Sequence, residues 1–372
     1  MSALFLYGSL LHDPLLRVVL GTEHLPEKQP AELVDHAVFW VKNAGYPCLL
    51  PASGNSVKGQ VVAEPTPEMQ ARMDFYEACF GYDVHQVTLA RGQIANVYLP
   101  PEQPPAGALW TVTDWARSWG DISVEAAREV MACFGNEAPE SVGSRFSVIR
   151  VRAAARVNAR AMPPAANSYS EKDVEIVETR RDYDKFFAVD DLTLKHRRFD
   201  GEMSHEIQRA VFVMSDAVTV LPYDPALDRV LVVEQFRAGL LSRGDAYPWS
   251  LEPVAGRIDP GETPEETARR ECLEEAGLKL ISLEQIAQYY PSPGGISEYI
   301  QSYIGIANLN GVERAVCGLD EEGEDILRHV LNFEDLMERI STSPRANGPL
   351  ILSTLWLAQN RPRLRAAVGA VT

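Results

Sequence analysis

The stretch that decides the fold is GRIDPGETPEETARRECLEEAGL, which spans positions 256–278 and holds seven acidic residues and three arginines. Thr263 is followed by a proline, and Glu266 comes three positions after it. This arrangement is a capping box with proline in the first helical turn, so it marks the start of a helix. Gly277 is suited to the left-handed conformation that ends a helix. The stretch therefore predicts a helix over residues 264–276.

The acidic side chains of this helix fall on one face. Glu271, Glu274 and Glu275 are spaced at i, i+3 and i+4, and like charges at this spacing repel each other by roughly a few tenths of a kcal/mol per pair. A bound divalent cation would remove that cost, because Mg²⁺ takes oxygen ligands and often uses carboxylates together with substrate phosphates. The alternative is a solvated acidic surface helix. The apolar stripe of the helix is expected at Ala268, Cys272, Leu273 and Ala276.

The length and charge of the chain limit its possible functions. Its 372 residues predict two domains, and an apolar fraction of 46% is normal for a protein with buried cores. The net charge of −17 opposes non-specific binding to nucleic acid or to an anionic membrane, since both need a basic face. We therefore expect neither as a partner. A polyanionic substrate would require bound metal ions or a few placed arginines.

The cysteines and the N-terminus indicate a cellular location. The five cysteines are scattered and form no CxxC motif, which favours reduced thiols in a cytoplasmic protein over a disulfide framework or a zinc site. The N-terminal MSALFLYGSLLHDPLL lacks a basic region and a cleavage site, so we interpret it as a first strand rather than a signal peptide. No apolar run approaches the ~18 residues of a membrane span.

The chain changes character near its middle. The segment at 153–170 is rich in Ala, Pro, Asn and Ser and lacks periodicity, so we predict a linker between a domain at 1–152 and a domain at 171–372. Strands of the first domain are predicted at 2–7, 36–42, 58–63 and 93–98, and its helices at 67–80, 111–118 and 122–134. Strands of the second domain are predicted at 173–178, 185–195, 209–221, 229–237, 286–290 and 299–306, and further helices near 333 and at 349–359. Interleaved strands and helices indicate an α/β sandwich.

The acidic helix lies inside a longer motif. Gly256, Glu262 after five residues, and RECLEEAGL after seven more match the Nudix box at every fixed position, so the chain resembles the Nudix hydrolases. The resemblance implies an α/β/α sandwich with a mixed sheet. It also implies an enzyme that cuts a diphosphate linked to another moiety by adding water at phosphorus. Mg²⁺ is the implied cofactor, with Mn²⁺ as an alternative.

The resemblance assigns roles to residues around the box. It implies that Glu271 and Glu275 bind the metal, helped by the backbone carbonyl of Ala255. It also implies that Arg270 pairs with Glu262 and so orients the helix.

Residues beyond the box indicate the substrate. Pro293 stands 15 residues after Leu278, within SPGGISE, and this pattern resembles the ADP-ribose pyrophosphatases over about 172–360. The resemblance implies hydrolysis of ADP-ribose, a nucleoside diphosphate sugar, to AMP and ribose 5-phosphate. It also implies a homodimer that forms through this domain and builds each site from both subunits. The alternatives are a hydrolase of another sugar nucleotide and a non-catalytic nucleotide-sensing regulator.

The same resemblance implies the substrate contacts. Adenine would lie between Phe186 and Arg209, with Phe187 beside them. Arg237 would hold phosphate by charge-assisted hydrogen bonds. The ribose and the diphosphate are expected against Arg257, Ser292, Gly294 and Glu298.

An acidic loop at 320–325 completes the implied site. Glu322 is expected as the general base and Glu324 as a further metal ligand. Taken singly, such residues have structural explanations, because phenylalanines fill cores and acidic loops are commonly solvated. Their joint match to one pattern favours the functional interpretation.

The first domain resembles a different family. FLYGSLLHDPLL at 5–16, the segment at 43–62 and the segment at 71–84 resemble the γ-glutamylcyclotransferase-like (AIG2-like) fold, an α+β domain with a β-barrel, over about 1–150. The resemblance implies that a glutamate, here Glu77, shuttles a proton from an attacking amine to a leaving amine. A carboxylate of a γ-glutamyl group would be held by backbone amides around Tyr7, Gly8, Ser9 and Leu10.

Two other interpretations of the first domain stay open. Ala78 and Cys79 follow Glu77 where many relatives carry glycine, so the domain could be a binding or interaction module, or its motif an ordinary strand–turn–helix. The layout of the complete chain resembles ADP-ribose pyrophosphatases associated with tellurite resistance.

Overall fold

The computed structural model of the chain describes residues 3–163, 169–319, 323–343 and 345–369. The chain divides into two compact units, Met1–Ala166 and Asn167–Thr372. Within the described residues, the helices are all too short or too polar to cross a membrane.

The N-terminal unit begins with a single sheet. Its elements in chain order are β1 (Ala3–Leu6), α1 (Asp13–Leu20), β2 (Lys28–Val41), β3 (Pro47–Val62), α2 (Pro67–Ala78), β4 (Asp83–Thr88), β5 (Ile94–Leu99) and β6 (Ala106–Leu109). The strands pair in the order β4-β5-β1-β3-β2-β6, with β1 parallel to β5 and the other pairs antiparallel. β2 and β3 form a hairpin much longer than the predicted strands at 36–42 and 58–63.

Helices follow this sheet. They are α3 (Val112–Trp115), a π-helical turn (Ala116–Gly120), α4 (Asp121–Ala132), α5 (Pro139–Ser144) and α6 (Phe146–Ala161). The linker predicted at 153–170 is therefore wrong over its first half, because α6 continues to Ala161 and buries Ala153 and Ala154. Alanine is the best helix former, so a segment rich in alanine suits a helix as well as a linker.

Ion pairs to two buried glutamates hold α6 against α4. Glu129 on α4 accepts hydrogen bonds from Arg152 (Nε to Oε1, 3.0 Å) and from Arg156. Glu125 accepts one from Arg160 (Nη1 to Oε1, 2.6 Å). Removing one partner of a buried pair leaves an uncompensated charge, so such contacts fix the helices relative to each other. They join residues 23 to 35 positions apart, so no local pattern in the sequence signals them.

The C-terminal unit contains two sheets. Its elements in chain order are β7 (Val174–Asp184), β8 (Ala188–His196), β9 (Ile207–Val213), β10 (Ala217–Asp224), β11 (Arg229–Phe236), α7 (Ala238–Arg243), β12 (Trp249–Glu252), β13 (Val254–Arg257), α8 (Pro264–Ala276), β14 (Ser282–Tyr289), β15 (Ile300–Ile306), β16 (Ala315–Cys317), β17 (Ile326–Asn332), α9 (Phe333–Thr342) and α10 (Gly348–Gly369). β7, β8 and β9 form a small antiparallel sheet. The large sheet has the order β14-β15-β10-β11-β17-β16, and β12 pairs with β11 and β13 with β10.

The large sheet is mixed and is covered on both faces. β10 runs parallel to β15 and antiparallel to β11. Val218 and Val220 of β10 belong to the core under α8, whereas Leu221 and Tyr223 belong to the core under α9 and α10. This alternation follows from the two-residue period of a strand. The predicted α/β/α sandwich with a mixed sheet is confirmed.

One predicted strand is two strands in the structure. The prediction of a single strand at 209–221 is wrong, because β9 ends at Val213 and β10 begins at Ala217. Between them the backbone N–H of Met214 donates to Ser297 Oγ (2.8 Å), so the chain leaves the small sheet and enters the large one. The polar residues Ser215 and Asp216 mark the point where the chain changes sheets.

Candidate functional site

Helix α8 has the predicted ends. Thr263 Oγ1 accepts from the N–H of Glu266 (3.3 Å), and Glu266 Oε2 accepts from the N–H of Thr263 (2.8 Å). Gly277 has a φ of 60° and ends the helix in the left-handed conformation. The predicted apolar stripe is wrong at Leu273, which is 50% exposed, whereas Glu275 is 3% exposed. The helix therefore turns a carboxyl group, rather than that leucine, toward the protein interior.

Strand β13 approaches α8 closely at Gly256. A Cβ atom at this position would lie 1.9 Å from the Glu271 carboxyl carbon, so no other residue fits without displacing the glutamate. The backbone N–H of the neighbouring Ala255 donates to Glu275 Oε2 (3.1 Å). The structure thus places Glu271 and Glu275 against the strand that carries Ala255.

Arg270 connects the acidic residues of the motif. It forms a two-pronged ion pair with Glu262, with Nε to Oε1 and Nη2 to Oε2 both 2.9 Å. Its Nη1 also donates to Glu271 Oε1 (2.7 Å) and to Glu274 Oε2 (3.0 Å). The predicted pair with Glu262 is confirmed. The contacts to the other two glutamates were not predicted, and they offset part of the repulsion along the helix.

Burial and mutual repulsion raise the pKa values of Glu271 and Glu275 on α8. Burial raises the pKa of Glu275 to about 8, and the charges of Glu271 and Glu324 add to this effect. Burial also raises the pKa of Glu271 to about 7, an effect that Arg270 opposes and Glu324 increases. A cation beside them would favour their charged forms.

The donor atoms suit a hard divalent cation. The carboxylates of Glu271 and Glu275 and the carbonyl of Ala255 are oxygen donors, the type that Mg²⁺ and Mn²⁺ prefer. Over the part of the chain that the structure describes, no three His, Cys, Asp or Glu side chains form a ready-made metal cluster. Glu322 lies outside the described residues. The buried, mutually repelling carboxylates beside the glycine at 256 nevertheless fit such a cation, because its charge would offset theirs.

Arg237 lies beside this acidic group. It is clamped by Glu252, with Nε to Oε1 3.1 Å and Nη2 to Oε2 2.6 Å, and Glu252 is buried. Burial raises the pKa values of Glu275 and Glu298, and the positive charge of Arg237 lowers them in part. The arginine side chain is still 43% exposed, so it is accessible to a phosphate. Glu252 was not predicted, although an acid within the otherwise uncharged strand WSLE is unusual enough to be a signal.

An aromatic cluster lies where the turn between β7 and β8 meets the end of β9. The ring centroids of Phe186 and Phe187 are 4.7 Å apart, and those of Phe187 and Phe212 are 4.8 Å apart. The guanidinium of Arg257 lies 4.5 Å from the ring centroid of Phe186. Phe186 is 56% exposed, so part of its ring remains open to a ligand.

Arg209 and Phe186 are not neighbours within one chain. The register of β8 and β9 pairs Ala188 with Val213 and Leu192 with Arg209. Arg209 is therefore four residues along β9 from the end near Phe186, or about 13 Å. The guanidinium that stacks on Phe186 belongs to Arg257 instead, so a single chain does not form the predicted adenine sandwich.

The loop that holds Ser292 and Gly294 docks on the end of β9. The carbonyl of Gly295 accepts from the N–H of Phe212 (2.8 Å), and the carbonyl of Ser292 accepts from the N–H of Ile296 (3.0 Å). These bonds hold Ser292 and Gly294 close to the aromatic cluster. The loop thereby joins two groups of predicted substrate residues.

The N-terminal unit contains a cavity of about 360 Å³. Tyr46, Tyr82 and Trp115 contribute to its largely aromatic wall. A 3₁₀ turn at Ser9–Leu11 shapes the loop that follows β1. The cavity also brings together all five residues predicted for this unit, Tyr7, Gly8, Ser9, Leu10 and Glu77.

Glu77 is the carboxyl group predicted to shuttle a proton in this cavity. Burial raises its pKa to about 8, so the side chain carries a proton at neutral pH. Burial raises the pKa values of Tyr7 and Tyr82, and the negative charge of ionised Glu77 raises them further. A carboxyl group that holds and releases a proton near neutral pH is suited to acid–base chemistry.

Two family profiles match the chain. Residues 214–349 match the NUDIX domain, and residues 4–117 match the family described as gamma-glutamyl cyclotransferase, AIG2-like. The first match covers the large sheet and α8, and the second covers the loop after β1 and Glu77.

Bacterial proteins of known activity are similar to the chain. The ADP-ribose pyrophosphatase of Escherichia coli (strain K12) is 34% identical over 198 residues, which are 53% of this chain and 94% of the relative. That of Haemophilus influenzae is 34% identical over 199 residues, which are 53% of this chain and 91% of the relative. A GDP-mannose pyrophosphatase of Escherichia coli O1:K1 / APEC is 30% identical over 174 residues, or 47% of this chain and 89% of the relative.

Stability should depend on pH through Glu77. Its pKa is raised from 4.5 to about 8 in the folded chain, so the folded state binds the proton more tightly than the unfolded state. The stabilisation is complete below the unfolded pKa and is lost as the pH rises toward 8. Between pH 4.5 and pH 8, the free energy of unfolding of the wild type should therefore fall as the pH rises. Compared with the Glu77→Gln variant, the fall should be on the order of 1 kcal/mol per pH unit.

Urea denaturation followed by tryptophan fluorescence from pH 5 to 9 measures this difference. Glu68→Gln changes an exposed glutamate of the same helix and should track the wild type. Parallel pH profiles for the wild type and Glu77→Gln would contradict the assignment of a buried, protonated Glu77.

Proposed function

The chain belongs to the Nudix family of hydrolases, and we propose that its C-terminal unit hydrolyses ADP-ribose to AMP and ribose 5-phosphate with Mg²⁺ or Mn²⁺. The observation that carries the proposal is the packing of Glu271 against Gly256 and of Glu275 against Ala255, with Arg237 beside them. The similarity to ADP-ribose pyrophosphatases over nearly their whole length supports the substrate.

The proposed mechanism divides the work among the residues of the site. Glu271 and Glu275 would hold the cation, which when bound activates the attacking water and offsets charge on the bridging oxygens. Arg237, held in place by Glu252, would bind phosphate oxygens by charge-assisted hydrogen bonds. We assign to Glu322 the role of the base that takes the proton from water.

We also propose that two copies of the chain pair through the small sheet. Its strands and the segment between them expose apolar side chains, including Ile176 at 62% and Phe199 at 95%. Contiguous exposed apolar surface marks interaction sites. In such a dimer Arg209 of one copy would reach Phe186 of the other, which explains why the two are apart within one chain.

The cysteines support the cytoplasm as the location. All five lie within the described residues and carry free thiols. Reduced thiols are the normal state in that compartment.

A different sugar nucleotide is the alternative substrate. The similarity to a GDP-mannose pyrophosphatase favours it, although the identity is lower at 30% over a shorter alignment. A nucleotide-sensing regulator without activity is less well supported, since the carboxylates of the motif are present and grouped.

The substrate proposal is tested with purified full-length chain, Mg²⁺ and a panel of ADP-ribose, GDP-mannose and a dinucleoside polyphosphate. We expect the highest kcat/KM for ADP-ribose, with AMP and ribose 5-phosphate resolved by chromatography. Glu275→Gln should lower kcat by about 100-fold or more, because it removes a charged oxygen donor. EDTA should abolish turnover.

Glu338→Gln on α9 is the matched control, since that glutamate is exposed and outside the site. A higher kcat/KM for GDP-mannose than for ADP-ribose would contradict the proposed substrate. If no product forms with Mg²⁺ or with Mn²⁺, the proposal that the chain is a hydrolase is wrong.

The shared site is tested by mixing two variants. Light scattering should give twice the 41.2 kDa of one chain. The Phe186→Ala variant and the Arg209→Ala variant should each hydrolyse ADP-ribose slowly when its concentration is low. After subunit exchange, half of the dimers carry one intact site, so activity should return to about a quarter of the wild-type value. No recovery on mixing, although exchange is verified, would show that each chain builds its own site.

The cavity favours a second function, and we propose that the N-terminal unit is a γ-glutamylamine cyclotransferase. The placement of Glu77 in one cavity with the loop at Tyr7–Leu10 carries this proposal. Glu77 would accept the proton of the attacking α-amine and return it to the leaving amine.

Release of 5-oxoproline from γ-glutamyl amides measures this activity. Glu77→Gln should lower the rate by about 100-fold or more, the usual contribution of acid–base catalysis. Glu68→Gln, on the exposed face of the same helix, should match the wild type. Equal background release by the wild type and Glu77→Gln would leave the unit as a binding module.

A further inference from the structure

A groove lies on the N-terminal unit between α1, α2 and α4. Its volume is about 510 Å³, and it shares no lining residue with the cavity that holds Glu77. Each of the three helices contributes one arginine to its wall: Arg17, Arg72 and Arg128. The acidic lining residue is Glu23, which is exposed. The wall therefore carries a surplus of positive charge, in a chain whose net charge is −17.

Arg72 is ordered by neutral acceptors at the end of α1. Its Nε donates to the carbonyl of Val19 (2.9 Å), and its guanidinium carbon lies 5.0 Å from the ring centroid of Phe134. A Cβ atom at Gly21 would lie 2.7 Å from that carbon, so the guanidinium packs directly on the glycine backbone. The carbonyls that end a helix carry about half an elementary charge in total. They hold Arg72 in place without neutralising it.

Most of the donors of Arg72 are left for a ligand. A guanidinium has five N–H groups, and the hydrogen bonds of Arg72 within the described structure, to the carbonyls of Val18 and Val19, use two of them. Arg17 is similar, because its Nε donates to the backbone carbonyl of Glu23 (3.3 Å). Across the described ranges, neither Arg17 nor Arg72 forms an ion pair with a carboxylate.

The charge of Arg128 is offset only in part. Its Nε lies 3.3 Å from Oε1 of Glu125. The same carboxylate also accepts a hydrogen bond from Arg160 (Nη1 to Oε1, 2.6 Å). One carboxylate that is shared between two guanidinium groups cannot neutralise both. Arg128 is 63% exposed, so its guanidinium can turn to an anion in the groove.

The groove also offers apolar contacts beside the arginines. Val18 of α1 and Val124 and Met131 of α4 line it. Its volume falls within the range of about 300–1,000 Å³ that is usual for small-molecule sites. The groove therefore has room for more than an inorganic anion, and it has an apolar surface for the carbon atoms of a ligand.

We infer that this groove binds a small phosphate monoester, with the phosphate on Arg17, Arg72 and Arg128 and the organic group against Val18 and Met131. A phosphate monoester carries up to two negative charges and three acceptor oxygens, so it suits three guanidinium groups better than a singly charged carboxylate does. Arginine binds phosphate oxygens in pairs through its planar fork. The inference is independent of the two reactions proposed above.

Three matched probes test the inference by calorimetry on the full-length chain: phenyl phosphate, inorganic phosphate and phenol. EDTA is present, so that no divalent cation can hold phosphate in the C-terminal unit. Phenyl phosphate should bind with a stoichiometry of one per chain, about 10-fold more tightly than inorganic phosphate, because its ring buries apolar surface. Phenol should bind at least 10-fold more weakly than phenyl phosphate. Added NaCl should weaken the binding of both phosphates.

Variants locate the site. Arg17→Gln should weaken the binding of phenyl phosphate by about 10-fold, the usual effect of losing a charged hydrogen bond. Arg128→Gln should weaken it by about 3-fold, because that arginine is more exposed and remains partly paired. Arg91→Gln, which changes an exposed arginine in a turn, should match the wild type. Arg237→Gln, in the C-terminal unit, should also match the wild type in this metal-free measurement.

Several results would overturn the inference. Unchanged affinity in both Arg17→Gln and Arg128→Gln would show that the phosphate does not lie in the groove. Loss of binding in Arg237→Gln would place it in the C-terminal unit instead. Phenol that binds as tightly as phenyl phosphate would mean that the arginines take no part. Tighter binding of inorganic phosphate than of phenyl phosphate would exclude the ester, and no binding of either phosphate would exclude the site.

Discussion

The catalytic unit depends on the absence of a side chain at position 256. Because Gly256 leaves room for the carboxyl group of Glu271, strand β13 and helix α8 come close enough for the amide of Ala255 to reach Glu275. Burying two like charges side by side is unfavourable, and Arg270 offsets part of this cost through its contact with Glu271. A larger residue would separate strand and helix, and the oxygen donors would no longer share one site.

Each unit contains a glutamate whose pKa is raised, and the surroundings of the two glutamates differ. Burial raises the pKa of Glu77 and of Glu275 to about 8 in each case. Glu275 is surrounded by further carboxylates, Glu271 and Glu324, so a metal cation can take the place of a proton there. Glu77 faces tyrosines such as Tyr82 in an aromatic cavity, where the neutral form is favoured and a proton is available for transfer. The same physical effect therefore supports a metal site in one unit and an acid–base group in the other.

The sequence predicts those features that short-range rules determine. The ends of α8 were predicted correctly because a capping box and a left-handed glycine act within a few residues. The inward side of that helix was predicted wrongly at Leu273, since hydrophobic periodicity does not anticipate a buried Glu275. The linker prediction was wrong over 153–161 because the partners of α6, Glu125 and Glu129, are distant in sequence. Family resemblance supplied most of the remaining predicted site residues, but not the contact of Glu252 with Arg237.

Arginines held over aromatic rings occur in both units of the chain. Arg257 occupies a position that the Nudix motif leaves variable, and Arg150 lies beyond the domain matched in the first unit. Each is held over an aromatic ring, Arg257 on Phe186 and Arg150 on Trp119. Stacking immobilises a guanidinium while its N–H edge stays available, so the loss of side-chain entropy on binding an anion is reduced. An arginine that is already ordered by a ring can therefore bind an anion without any change to the glutamates near it.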